Sequence, residues 1–247
     1  MIEVYYAHSG GHEWLLDERA AEAALTGEEL DRYRAYRTDM KRKEFLLGRL
    51  MMKSLLGRKY GISPHAVKLS TTTYGKPAYP GEWQFNLTHA NGVVACAMTL
   101  HRRVGIDLEY MEASNLNLVG HVCSQEERNY VQANAGLELQ AFYEIWTKKE
   151  ALIKALGTGF AMDPKEIRIA LGIQRGERDG WLFLEPRQLL PSYQLAVAVE
   201  LLETERDPVR MTIEAWDVVY PSGWTSDGGR SPRDASSSFS SSSRRYP

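Results

Sequence analysis

The stretch LELQAFYEIWTKKEALIKAL, residues 137–156, decides the fold class of this 247-residue chain. Its apolar side chains recur every three or four residues and form one stripe along a helix, which contains Phe142, Ile145, Trp146, Leu152, Ile153 and Leu156. Gly157 and Gly159 end that helix. Four strand-like runs follow at 166–171, 181–185, 193–201 and 210–219. A long helix followed by several short strands predicts an α+β fold, with helices packed on a mostly antiparallel sheet.

The first half of the chain follows a similar scheme. A capping box of Thr26 and Glu29 predicts one helix, and a longer helix is expected over 39–60. Strand-like runs lie at 2–6, 67–70, 85–88, 93–100 and 104–109. We therefore predict two similar lobes with a pseudo-twofold relation, an N-terminal lobe at 1–110 and a C-terminal lobe at 111–224. The Ser-rich segment 225–247 is predicted to be a disordered tail, because it has too few apolar side chains to offset its chain entropy.

Charge and cysteine content exclude several classes of protein. The net charge is −2, with 30 Lys and Arg against 32 Asp and Glu, so no overall field favours nucleic acid or an anionic membrane. No secretion signal or run of 18 apolar residues is present. The two cysteines, Cys96 and Cys123, lack the spacing of a zinc site or a disulfide framework. We therefore expect a soluble cytoplasmic protein that binds neither nucleic acid nor membrane.

The short run Gly105-Ile106-Asp107-Leu108-Glu109 carries two carboxylates at strand spacing. The period of two directs Ile106 and Leu108 into the core and places Asp107 and Glu109 together on the opposite face. Carboxylates roughly 6–7 Å apart would repel each other by about 2–3 kcal/mol at an effective dielectric near 20. A hard cation such as Mg²⁺ or Mn²⁺ would remove that cost, since the donors are all oxygen. The alternative is that both carboxylates simply face water.

The helix at 137–156 carries a second group of charged residues. Lys149 falls in the middle of its apolar stripe, where a lysine is costly unless an anion meets it. Glu150 and Lys154 lie on the flank of the stripe and could form an ordinary ion pair four residues apart. If the stripe packs beside the strand of Asp107, however, Glu150 becomes a third carboxylate and both lysines can reach a phosphate.

Two further segments offer groups that suit phosphate oxygens. Lys76 stands in a stiff Gly-Lys-Pro turn, and Thr88 and His89 end a strand with a hydroxyl and an imidazole. The alternative for His89 is a structural hydrogen bond. The start of the helix at 39–60 is basic, which is unfavourable beside a helix N-terminus unless an anion lies there or the charges are solvated.

The segments 75–77, 85–89, 105–109 and 146–154 resemble, in order, the signature motifs of the surfactin-synthetase-type (Sfp-like) 4′-phosphopantetheinyl transferases. The resemblance covers roughly residues 1 to 220 and excludes the tail. It implies a two-lobed, monomeric enzyme that transfers 4′-phosphopantetheine from coenzyme A to a serine of an apo acyl or peptidyl carrier protein. The products would be the holo carrier protein and 3′,5′-ADP.

The resemblance also implies roles for individual residues. Three carboxylates would hold Mg²⁺, or Mn²⁺, on the coenzyme A pyrophosphate, namely Asp107, Glu109 and Glu150. Glu150 would also deprotonate the carrier serine, and Lys154 would act at the pyrophosphate. Contacts to the phosphates of coenzyme A would come from Arg42, Lys43, Lys76, Thr88, His89, Lys149 and Lys154. The chain departs from the family pattern at Glu44, where an arginine is usual nearby, and at Thr88 and Ala90, where serines usually flank the histidine.

Two other functions could use the same residues. A Mg²⁺-dependent nucleotide hydrolase or phosphodiesterase would use the carboxylates with water as the nucleophile. A non-catalytic carrier-protein binder would keep the fold without the chemistry, although Asp107, Glu109, Glu150 and Lys154 are all present.

Overall fold

A computed structural model describes residues 1–11, 22–73, 75–159, 162–172, 174–186, 190–202, 209–216 and 244–246. Within these ranges the principal α-helices are α1 (Gly27–Ala35), α2 (Asp39–Tyr60), α3 (Val119–Val122), α4 (Gln125–Ala133) and α5 (Glu138–Leu156). The strands are β1 (Ile2–His8), β2 (Ser70–Thr71), β3 (Pro77–Ala78), β4 (Trp83–Ala90), β5 (Val93–Leu100), β6 (Val104–Tyr110), β7 (Arg175–Arg178), β8 (Trp181–Leu184), β9 (Tyr193–Glu200), β10 (Met211–Ala215) and β11 (Arg244–Tyr246).

The strands form two main sheets and one small ribbon. One sheet has the order β11-β10-β1-β5-β4, the other has the order β6-β9-β8-β7, and β2 pairs with β3. The pairing of β1 with β10 is parallel, and the other pairings are antiparallel. This arrangement confirms the predicted α+β fold with two mostly antiparallel sheets packed against helices.

Among the described residues, three apolar cores hold these layers together. Side chains of α2 pack on the five-stranded sheet, and side chains of α5 pack on the four-stranded sheet. A third core contains residues of both sheets, among them Val4, Ile106 and Val197. The two sheets therefore share buried apolar surface, and each carries a long helix.

Local sequence signals account for the helix ends. The predicted capping box of Thr26 and Glu29 is confirmed at the start of α1, and a second box of Ser124 and Glu127 begins α4. Gly61 ends α2 in the left-handed conformation, with φ of 66°, which a residue without a Cβ adopts at little cost.

The seat of α5 on β6 depends on Gly105. A Cβ at this position would lie 1.9 Å from the Ala151 carbonyl oxygen and 2.5 Å from the Ala155 backbone nitrogen. The helix backbone therefore lies directly against the strand, and the missing side chain of Gly105 permits that approach. This contact brings the face of β6 that carries Asp107 beneath α5.

Side chains of β4 join the two sheets. The backbone N–H of Ile106 donates to Asn86 Oδ1 at 3.0 Å, and the N–H of Leu108 donates to Thr88 Oγ1 at 3.2 Å. Buried backbone donors need partners, and here the edge of β6 finds them in side chains of the other sheet. Thr88 is thus brought next to Asp107 by the same contacts that connect the sheets.

Sheet membership does not follow the predicted lobe boundary between residues 110 and 111. Strand β6, placed in the N-terminal lobe by its position in the sequence, pairs with β9 of the second sheet. Strand β10, placed in the C-terminal lobe, pairs with β1 of the first sheet. The reason is that strand pairing joins segments far apart in the chain, which the order of elements does not reveal.

One predicted strand is absent and another is shorter than predicted. Residues 166–171 form no strand, and the segment 67–70 contributes only Ser70 to β2. Ile167 and Ile169 are nevertheless buried, because they pack on the core beneath α5. Alternating apolar residues were thus a sign of burial there and not of backbone pairing.

The predicted tail at 225–247 lies outside the described residues apart from Arg244–Tyr246. These three residues form β11, antiparallel to β10. For them the structure differs from the expected disorder, since edge pairing uses backbone groups and needs no apolar side chain. Among the described helices, none is both long and apolar enough to cross a membrane.

Candidate active site

The site lies where β6, α5 and the end of β4 meet. Asp107 is 2% exposed, and its Oδ1 accepts a hydrogen bond from Lys154 Nζ at 2.5 Å. The Thr88 hydroxyl lies 3.4 Å from the same oxygen and 3.3 Å from Lys154 Nζ. The structure thus brings together three of the residues that the sequence singled out, from three different elements.

The other oxygen of Asp107 is unusual. Asp107 Oδ2 is buried and has no hydrogen-bond partner among the described residues. A buried carboxylate oxygen without a donor is costly, and such exceptions mark functional groups or an absent ion or water. A bound ion or a water molecule could satisfy this oxygen, which the described residues leave without a donor.

The charge of Asp107 contributes to a raised pKa at two more carboxylates. Burial, followed by the charge of Asp107, raises the pKa of Glu109 to about 7, although a hydrogen bond from Trp146 Nε1 to Glu109 Oε1 at 3.2 Å opposes this. Burial and then Asp107 also raise the pKa of Glu150. Like charges held together in a partly buried site disfavour ionisation, and a bound cation reverses that effect. The three carboxylates therefore lie close enough to influence one another electrostatically.

In this structure the described carboxylates do not converge into a complete metal site. Among the residues that the structure describes, no three His, Cys, Asp or Glu side chains form a group that could hold a metal ion. Lys154 instead occupies one oxygen of Asp107. The donor set nevertheless fits a hard cation, because it is all oxygen and includes the unpartnered Asp107 Oδ2.

His89 lies at the end of β4 and contacts Glu44, the carboxylate at which the chain departs from the family pattern. His89 Nδ1 is 3.1 Å from Glu44 Oε2, and the His89 side chain is 41% exposed. Lys41 Nζ donates to the same Glu44 oxygen at 2.8 Å. Glu44 thus organises two exposed basic groups beside the β4–β5 turn.

Lys76 reaches across to the second sheet. Its Nζ donates to the carbonyl oxygens of Lys154 at 2.9 Å and Val104 at 3.4 Å. Burial lowers the pKa of Lys76 to about 8. Lys76 therefore contacts the helix turn that carries Lys154, and its part in phosphate binding stays a prediction.

The two basic residues predicted from the start of α2 have different surroundings. Arg42 forms a short ion pair with Asp39, one turn earlier in the same helix. Lys43 is half-buried and forms no ion pair with another described residue. Of this basic segment, Lys41 is the residue that shares a carboxylate with His89. The phosphate contacts of Arg42 and Lys43 stay predictions.

Lys149, predicted to bind a phosphate of coenzyme A, instead has internal partners. Lys149 is 1% exposed, and its Nζ donates to Glu127 Oε2 at 2.6 Å and to the carbonyl oxygens of Pro164 at 2.7 Å and Val122 at 3.0 Å. All three ammonium donors are therefore used away from Asp107. The sequence argument that this lysine needs an anion was correct, but the anion is a glutamate of α4.

Lys149→Met is accordingly expected to lower the free energy of unfolding by about 3–5 kcal/mol, because it leaves the buried Glu127 carboxylate without its cation. The affinity for coenzyme A should not change in protein that remains folded. Urea unfolding and calorimetry with coenzyme A measure the two quantities. A stable variant that no longer binds coenzyme A would show that Lys149 does contact this ligand.

Three residues in or beside the site had no role assigned from the sequence. Trp146 donates to Glu109 from one turn before Glu150, and its place on the helix stripe signalled only burial. Glu44 and Lys41 lie on α2, far in sequence from His89. Only the packing of α2 on the first sheet brings these residues together.

Two protein-family models match adjoining parts of the chain. Residues 12–101 match the model described as "4'-phosphopantetheinyl transferase, N-terminal", and residues 103–197 match the model of the 4'-phosphopantetheinyl transferase superfamily. The boundary between the two matches falls just before β6.

Curated relatives agree with these matches. The chain is 34% identical to the 4'-phosphopantetheinyl transferase HetI of Nostoc sp. over 60% of its own length and 66% of the relative. It is 27% identical to the 4'-phosphopantetheinyl transferase Sfp of Bacillus subtilis, strain 168, over 62% and 71%. A second Bacillus subtilis 4'-phosphopantetheinyl transferase is 26% identical over 57% and 63%. The chain thus spans just under two thirds of HetI and of this second relative. Because the two adjoining models and these relatives all indicate one family, the chain belongs to the 4'-phosphopantetheinyl transferase superfamily.

Proposed function

We propose that this protein transfers the 4′-phosphopantetheinyl group of coenzyme A to a serine of an apo acyl or peptidyl carrier protein, with Mg²⁺ or Mn²⁺ as the metal. The observation that carries the proposal is the buried, unpartnered Asp107 Oδ2 beside Lys154, Glu109 and Glu150. A carboxylate cluster next to a lysine suits a metal-bound pyrophosphate, and the family membership supplies the acceptor.

The residues of the site have distinct tasks in this reaction. The carrier serine Oγ attacks the β-phosphorus of coenzyme A; the new O–P bond forms as the bond to the bridging oxygen breaks, and 3′,5′-ADP leaves. Glu150 accepts the hydroxyl proton as the general base. Lys154 stabilises negative charge on the phosphate oxygens. No covalent enzyme intermediate is needed.

Asp107, Glu109 and Glu150 would hold the metal ion. When bound, the ion would neutralise charge on the pyrophosphate as it builds up. Thr88, bonded to the backbone of β6 and adjacent to Asp107, would keep that carboxylate oriented. Lys76 and His89 would act at the phosphates of the nucleotide end.

We also propose that the enzyme acts as a monomer in the cytoplasm. One chain supplies β4, β6 and α5, so the site needs no second copy. Both cysteines are buried and free, as expected in a reducing compartment.

A transfer assay tests the proposal. The protein is incubated with coenzyme A, Mg²⁺ and a panel of apo carrier proteins, and the carriers are weighed by mass spectrometry. Transfer adds one phosphopantetheinyl group to the carrier serine and releases 3′,5′-ADP. Cleavage of coenzyme A without a heavier carrier would indicate a hydrolase, and a stable complex without either product would indicate a binding protein.

The requirement for Mg²⁺ should depend on pH. The raised pKa of Glu109, about 7, means that the ion must displace a proton from this carboxyl below that pH. The Mg²⁺ concentration for half-maximal transfer should therefore rise by up to about tenfold for each pH unit below about 7, the linkage expected for one proton. Rates measured against Mg²⁺ at several pH values check this.

Glu109→Gln provides the control for the pH experiment. The variant should need more Mg²⁺ at every pH, and its requirement should change less steeply with pH because the titrating carboxyl is gone. An unchanged slope in this variant would show that the proton lies elsewhere in the cluster.

A further inference from the structure

Glu44 is a fully buried carboxylate on α2 that three donors share. Its side chain is 0% exposed, and its Oε1 accepts the Gly92 backbone N–H at 2.8 Å. Its Oε2 lies 2.8 Å from Lys41 Nζ and 3.1 Å from His89 Nδ1. A buried carboxylate with donors on both oxygens has a fixed position, so it can fix the position of the groups that it contacts.

Glu44 stays ionised although its side chain is buried. Burial would raise the pKa of Glu44, but hydrogen bonds from His89, Lys41 and the Gly92 backbone lower it to about 2. Glu44 is therefore an acceptor throughout the working range of pH. Because an ionised carboxylate only accepts hydrogen bonds, it can pair with Nδ1 only when Nδ1 carries a proton. In the neutral imidazole the single ring N–H must therefore be at Nδ1.

The backbone around His89 is equally defined. His89 pairs with Val94 across the β4–β5 hairpin, whose turn residues Asn91 and Gly92 have φ of 42° and 83°. This is the positive-φ geometry of a two-residue hairpin turn. Glu44 bonds both this turn and the imidazole, so strand, turn and ring are held as one unit.

We infer that Glu44 is a positioning residue, which holds the His89 imidazole by Nδ1 and leaves Nε2 for a phosphate group of coenzyme A. The inference rests on the proposed function and deepens it, because it assigns a role to a residue that departs from the family pattern. Lys41 shares the same carboxylate oxygen and remains 42% exposed, so it supplies a second basic group beside the imidazole. The Lys41 ammonium offsets the negative charge of Glu44 at this place.

A double-mutant cycle on coenzyme A affinity tests this role. In Glu44→Gln the side chain keeps one acceptor oxygen, whereas three donors contact the Glu44 carboxylate. The variant should therefore bind coenzyme A about fivefold to tenfold more weakly, which is the loss expected of one charge-assisted hydrogen bond. His89→Ala should weaken binding by at least as much. In the His89→Ala background, Glu44→Gln should cost clearly less affinity than in the wild type, because the His89 contact is gone and only the Lys41 contact remains.

The matched control is Glu127→Gln. Glu127 is also buried, caps a backbone N–H and bonds a lysine, but lies on α4, away from the histidine. This control should lower the melting temperature without changing coenzyme A affinity. Equal losses from Glu44→Gln with and without His89 would overturn the inference while leaving the transferase intact. A wild-type protein that binds no coenzyme A would overturn both the inference and the proposed function.

The wild-type protein gives a second test, which does not require a folded Glu44 variant. Nitrogen NMR of the histidine side chains should show His89 with its neutral-form proton on Nδ1, identified by the signal that His89→Gln removes. Addition of coenzyme A should shift the Nε2 signal more than the Nδ1 signal. A neutral ring protonated on Nε2 would overturn the inference.

Discussion

Replacing Asp107 by asparagine is expected to lower kcat/KM for transfer by more than about 100-fold, because even partners outside the ligand shell of a metal contribute about 10–100-fold. The substitution keeps the size of the side chain and an oxygen for Lys154 and Thr88, but removes the charge that a metal ion needs. Besides burial, the charge of Asp107 raises the pKa of both Glu109 and Glu150.

The melting temperature of this variant without metal should change little. Loss of the Lys154 ion pair destabilises the folded protein, but Lys154 is 30% exposed and can be hydrated. Loss of the Asp107 charge also relieves repulsion on Glu109 and Glu150. The pKa of Glu109 should consequently fall from about 7 toward its ordinary value.

Transfer rates against Mg²⁺ concentration, beside melting curves without metal, measure both effects. Glu177→Gln is the control, since it removes an exposed carboxylate on β7, in the same sheet as Asp107. An Asp107→Asn protein with normal activity and an unchanged Mg²⁺ requirement would contradict the metal site, and with it most of the proposed mechanism.

Gly105→Ala should be the most damaging change of a single methyl group. The added Cβ would lie 1.9 Å from the Ala151 carbonyl oxygen and 2.5 Å from the Ala155 nitrogen, and both are backbone atoms that cannot rotate away. We expect a loss of about 3 kcal/mol or more in the free energy of unfolding. Because α5 must move to accommodate the methyl group, transfer by the remaining folded protein should fall about 100-fold.

Gly120→Ala is the matched control. Gly120 lies in α3, and a Cβ there would meet no atom within 4 Å. This variant should be as stable and active as the wild type. Urea unfolding and the transfer assay compare the two substitutions; equal behaviour would mean that α5 does not pack on β6 through Gly105.

Much of the fold could be predicted from short-range patterns. Helix α2 has the predicted bounds, 39–60, and the capping box of Thr26 and Glu29 begins α1. The alternation along β6 correctly placed Ile106 and Leu108 in the apolar core, on the opposite face from Asp107. These features depend on neighbours within one helical turn or one strand pleat, and the sequence contains that information directly.

The site itself was only partly predictable. Sequence indicated that Asp107, Glu109, Glu150 and Lys154 act together, and the structure brings Lys154 onto Asp107. The same reasoning expected Lys149 beside them, whereas it lies on Glu127. Both lysines are on α5, and a difference of five positions turns them to different sides of the helix. Which anion each one meets depends on what packs on that side.

What the sequence by itself determined was therefore the class of each segment, the burial of its apolar face and the residue types available for chemistry. Tertiary structure alone decided the partners: β6 with β9, β10 with β1, Glu44 with His89, and α5 with Gly105. The physical reason is that periodicity is set by bonds between near neighbours, whereas the partner of a strand edge or a buried charge is chosen by the packing of segments far apart in the chain.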